Sequence, residues 1–96
     1  MNELRSRDVE NLLEVLTKMD DKETLFALLE DLFTIREIKE TSQRLTVARL
    51  LDEGKSYATI EKETGASATT IARVSKCLSY GAGGYRKALD MLSATE

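Results

Sequence analysis

The sequence predicts an all-α fold of six helices in one domain. Three observations support this. Proline is absent from all 96 residues and only five glycines occur, so long stretches are free to be helical. Large apolar residues recur at three- and four-residue spacing, the period of one helix face. No stretch shows the strict alternation of a half-buried strand.

The first helix is expected from Arg7 to Lys18, where Leu12, Leu13, Leu16 and Met19 follow Val9 at helical spacing and Asp8, Glu10 and Glu14 point away. Asp20 with Glu23 three residues on has the form of a capping box and opens the second helix. That helix carries Leu25, Phe26, Leu28, Leu29, Leu32 and Phe33, more large apolar side chains than one face of a small domain covers. Burial on two sides, as in a subunit interface, is the expectation. Thr34 and Glu37 repeat the capping pattern and open a long third helix ending at Gly54. Ile35, Ile38, Leu45, Ala48 and Leu51 lie near one of its faces, broadened by Val47 and Leu50. Arg36, Lys39, Arg44 and Arg49 alternate with Glu37, Glu40, Asp52 and Glu53 along a solvated flank. Ser56 caps the fourth helix and Ser67 the fifth. The run Tyr80-Gly81-Ala82-Gly83-Gly84 separates the fifth from a last helix, Tyr85 to about Ser93.

Apolar residues at 42% and charged residues at 32% belong to a globular protein. At this size the burial available to one chain is modest, and dimerisation would add to it. No membrane span and no signal peptide are expected. The single cysteine, Cys77, forms no internal disulfide and fits a reducing cytoplasm. It is expected as a small packing residue. Net charge is −3, yet unevenly spread. Residues 1–33 hold 4 Lys/Arg against 9 Asp/Glu, a balance of −5. Residues 54–89 hold Lys55, Lys62, Arg73, Lys76, Arg86 and Lys87 against Glu61 and Glu63, a balance of +4. Phosphates respond to the local field, so the C-terminal half is the candidate nucleic-acid half.

Within that half, Ser56 to Leu78 reads as a helix-turn-helix turning at Gly65, whose backbone freedom the tight turn requires. Spacing from Gly65 puts Ile60, Ile71 and Val74 in the helix crossing and leaves Thr69, Thr70 and Arg73 outside it. The start of the fifth helix, Ser67, Ala68, Thr69 and Thr70, is slim enough to enter a DNA major groove. Thr69, Thr70 and Arg73 are candidate base readers, while Ser67, Lys62 and Lys76 suit phosphates. Glu61 and Glu63 on the fourth helix weigh against this reading.

The segment Arg44 to Leu78, RLTVARLLDEGKSYATIEKETGASATTIARVSKCL, resembles the DNA-binding part of the Trp repressor family. The acidic, leucine-rich start and the YGAGGYRKAL ending are similar to its YerC/YecD group. This resemblance implies an intertwined homodimer: residues 1–53 and 82–96 would form the dimer core, and residues 56–79 would project as two DNA-reading heads. Such heads read half-sites roughly 34–36 Å apart. It also implies a corepressor site in which two arginines hold an indole ring, with Arg44, Thr70 and Arg73 at the matching positions. The next position, glycine in that repressor, is Val74 here. Its branched side chain adds bulk where the ring would lie, so another ligand or none is expected in place of tryptophan.

Enzyme chemistry has little support. The chain has no His, no phosphate loop and no metal-ligand spacing around Cys77, and no cofactor or metal is expected. The expected function is a cytoplasmic transcriptional regulator, a repressor binding double-stranded DNA as a homodimer at a palindromic operator. The competing reading is a helical protein-interaction module, which steep salt dependence of DNA binding would exclude.

Overall fold

Five of the six helices open on a hydroxyl or carboxylate that accepts from a free amide of the first turn. The computed structural model describes residues 4–95. Its helices are α1 (Arg7–Lys18), α2 (Lys22–Leu32), α3 (Ile35–Asp52), α4 (Tyr57–Thr64), α5 (Ala68–Tyr80) and α6 (Gly84–Thr95). No strand occurs among the described residues. Ser6 caps α1 through the Val9 amide at 3.2 Å. At α3 the expected capping box is present: Glu37 N–H donates to Thr34 Oγ1 (3.1 Å) and Thr34 N–H to Glu37 Oε1 (2.9 Å).

The cap of α2 falls one residue later than expected. Asp21, not Asp20, accepts from the Thr24 amide at 3.0 Å and from its hydroxyl at 2.5 Å. The later start puts a hydroxyl where Asp21 gains a second donor, and these bonds hold the Asp21 carboxyl below the usual range. At the other end of the chain α6 begins at Gly84, before Tyr85, because the Lys87 amide bonds back to the Gly83 carbonyl.

The chain divides into two units, one up to Ile38 and one from Lys39 onward. In the first, Val9, Leu12 and Leu16 of α1, Met19 just past its end, and Leu25, Leu28 and Leu29 of α2 are half-buried, and neither helix holds a buried residue. Phe26 keeps 48% of its surface and Leu32 51%. Ile35, expected on the apolar face of α3, is 75% exposed.

The second unit has a dense core. Val47, Ala48 and Leu50 of α3 pack with Ile60 of α4, Ala66, Ile71 and Val74, and Leu89 of α6. Leu45, Leu51, Leu78 and Tyr85 lie against this cluster. The Gly54 turn closes α3 with the Lys55 amide on the Leu50 carbonyl and the Gly54 amide on that of Leu51. This is a Schellman arrangement, and Gly54 supplies its left-handed residue at φ +83°. Arg86 of α6 then grips Asp52 with both terminal nitrogens, at 2.7 and 3.2 Å. Arg49 of α3 pairs with Glu53, just past the helix end, at 2.9 Å.

Candidate nucleic-acid interface

The turn between α4 and α5 is tied from three directions. Gly65 adopts the left-handed conformation (φ +77°), and its amide donates to the Glu61 carbonyl at 2.9 Å. The Thr64 hydroxyl donates to the Ile60 carbonyl (2.7 Å) and accepts from the Ala66 amide (3.1 Å). From α3, Gln43 Nε2 donates to the Thr64 carbonyl at 3.0 Å. The free carbonyl at the end of α4 and the first amide past the turn are thereby satisfied without water.

Below the turn, Ile60 and Ile71 are fully buried and Val74 nearly so, as the spacing from Gly65 predicted. With one face of α5 fixed in the core, its other face is fixed outward. Ser67, Ala68, Thr69, Arg73 and Lys76 are exposed. Ser67 caps α5, accepting from the Thr70 amide at 3.2 Å. Thr70 is half-buried, and its hydroxyl oxygen accepts from the Ser67 hydroxyl at 3.1 Å. Among the described residues nothing engages the Arg73 guanidinium. Lys62 is exposed on α4, and so are Glu61 and Glu63 on either side of it.

Arg44 is exposed on α3, where Nη2 donates to Thr41 Oγ1 at 3.3 Å. Val74, beside Arg73 in sequence, is packed with Val47, Ala48 and Ile71. Cys77 is exposed, contrary to the packing role expected of it. It follows Thr69 and Arg73 at four-residue intervals and so shares the solvent side of α5. No cluster of three or more metal-ligating side chains occurs among the described residues, and no helix there is long and apolar enough to cross a membrane.

Two residues of this arrangement escaped sequence reasoning. Thr64 could have been noticed as the hydroxyl directly before the turn glycine. Gln43 lies 21 residues from its acceptor, and no local pattern marks it.

The Trp repressor protein family model matches residues 7–93. YerC of Bacillus subtilis (strain 168), an uncharacterised protein, is 44% identical over 96 residues, covering all of this chain and 92% of that one. A TrpR-like protein from Eubacterium eligens ATCC 27750 superposes with a TM-score of 0.91 at 38% identity, covering 97% of this chain and 96% of the other. A proposed Trp repressor from Staphylococcus aureus gives 0.88 at 38% identity, covering 94% and 90%. The chain therefore belongs to the Trp repressor family of helical, helix-turn-helix DNA-binding regulators, with a YerC-type protein among its relatives.

Proposed function

We propose that the protein is a homodimeric transcriptional repressor that occupies a palindromic operator in the cytoplasm. The observation that carries this reading is the two-sidedness of α5. Its inner face is locked by Ile71 and Val74, so the slim tip of Ser67, Ala68 and Thr69, with Arg73 behind it, is held rigidly in solvent. Thr69 and Arg73 address bases, Lys62, Ser67 and Lys76 address phosphates, and Thr70, half-buried and bonded to the Ser67 cap, braces the tip from behind. Residues 56–79 form the reading head, and residues 1–53 with 82–96 form the dimer core. The absence of any buried residue in α1 and α2, despite their leucine and phenylalanine content, supports a second copy as the cover for those faces.

The corepressor positions support a different reading from tryptophan sensing. Arg44, Thr70 and Arg73 are all present, but where the resemblance implies a glycine beside the ring this chain has Val74, a branched side chain buried in the core. The repressor acts without tryptophan.

Selection of bound duplexes from random DNA by the purified protein tests this function. A repressor yields a two-fold symmetric consensus with half-site centres about one helical turn apart. Its affinity falls steeply with salt. An unbiased pool, or binding indifferent to salt, would refute the reading.

A further inference from the structure

We infer that Ala72 is a base-reading residue which, with Thr69, frames Arg73, and that each half-site therefore presents a thymine beside a guanine. This deepens the DNA-binding reading and rests on it. Thr70 is turned into the Ser67 cap and half-buried, so the outward row is defined by Thr69 and the residues three, four and seven positions on. These are Ala72, Arg73 and Lys76, all exposed, and they share one side of α5.

The chemistry of this row is asymmetric. Arg73 is exposed and uncommitted among the described residues, so its whole fork of donors is available. That fork matches guanine O6 and N7, and it meets only unfavourable donor–donor contact at the amino groups of adenine and cytosine. Ala72 has nothing to offer but a methyl group, and Thr69 adds a second one. On the major-groove edge the one apolar group is the 5-methyl of thymine. A longer side chain at 72 would hold the helix off the groove floor, whereas alanine lets the backbone approach. The juxtaposition of an uncommitted guanidinium with flanking methyls reads a guanine with a thymine next to it.

The test uses the full-length protein and a duplex selected from random DNA. Thymines are replaced singly by deoxyuridine, which removes the methyl, and guanines by 7-deazaguanine, which removes an acceptor. One thymine per half-site should weaken binding about fourfold when demethylated. The adjacent guanine should weaken it about tenfold when N7 is lost. Ala72→Ser, which keeps the helix, should abolish sensitivity to that methyl and retain sensitivity to that guanine. Arg73→Lys should blunt the guanine effect and retain the methyl effect. If no thymine methyl matters, or if Ala72→Ser leaves the methyl effect intact, the assignment of Ala72 is wrong while DNA binding stands. If no duplex is selected at all, the DNA-binding reading itself fails and takes this inference with it.

Discussion

The side-chain amide of Gln43 donates to the main-chain carbonyl of Thr64 at 3.0 Å, fastening α3 to the turn that presents α5. Replacing Gln43 by Ala strands a half-buried carbonyl and should destabilise the fold by about 1 kcal/mol. Denaturant unfolding followed by circular dichroism measures this. Because the turn sets the pitch of α5, operator affinity should fall further than stability alone accounts for. Gly65→Ala is the companion variant. A Cβ there meets nothing within 4 Å, so its cost is purely the left-handed backbone, about 1–2 kcal/mol, and Gly65→Asn should cost less. Equal losses for Ala and Asn would show that conformation is not the cause.

The core beneath the turn should be the least tolerant part of the chain. Ile60 and Ile71 are both fully buried, and Ile→Ala at either site should cost about 2–5 kcal/mol. In a core this small such a loss is a large part of the total. Val74 has a second consequence. Calorimetric titration of the wild-type protein with tryptophan should show no binding, and micromolar affinity would mean that Val74 moves out of the core to admit the ring.

Much of the fold was legible because its signals are local. The bounds of α1 and the caps at Thr34, Ser56 and Ser67 follow from residue type and three-residue spacing. The crossing of Ile60, Ile71 and Val74 follows from distance to one glycine. The α2 cap was misplaced because Asp20, with Glu23 three residues on, fits the capping box and Asp21 does not, whereas the Thr24 hydroxyl gives Asp21 a second donor that the pattern ignores. Cys77 looked like packing material because residue type was weighed above helical phase, which sets it on the side of Arg73. The long-range ties were out of reach. Gln43 to Thr64 spans 21 residues and Arg86 to Asp52 spans 34, and neither leaves a periodic trace in the sequence.

The Asp52–Arg86 pair makes a prediction about acid. Arg86 lowers the Asp52 carboxyl below its usual range, chiefly through their hydrogen bonds. A carboxylate depressed in the fold contributes stability above its unfolded value. That contribution is lost as pH falls through the lower, folded value. Melting temperature should therefore decline below about pH 4, and Glu37 and Asp21, lowered by their capping bonds, act in the same direction. Asp52→Asn should melt lower than wild type at neutral pH and converge with it in strong acid. Both groups are exposed, so the neutral-pH difference should be small and should shrink in high salt.

The apolar faces of α1 and α2 predict a concentration-dependent fold. Phe26 and Phe33 both remain exposed in the single chain. If a second copy covers them, Phe26→Glu places an unpaired charge in that interface at a cost of about 3–5 kcal/mol. Sedimentation should then show a monomer where wild type is a dimer. Melting of the wild type should rise with protein concentration, and that of the variant should not. A wild-type monomer at micromolar concentration would leave these faces without the proposed partner.

Cys77 offers a direct footprint of the reading face. Its exposed thiol lies on the side of α5 that carries Thr69 and Arg73, and it is the only cysteine in the chain, so alkylation by a maleimide reports one position. With operator duplex added, the alkylation rate should fall in proportion to the fraction of protein bound. Raising salt should restore it as the complex dissociates. The Arg73→Ala variant should show no protection at the same duplex concentration, since it should not hold the DNA. A thiol that reacts at its free rate while the duplex is demonstrably bound would place the DNA on another surface. That result would move the reading role off α5 altogether.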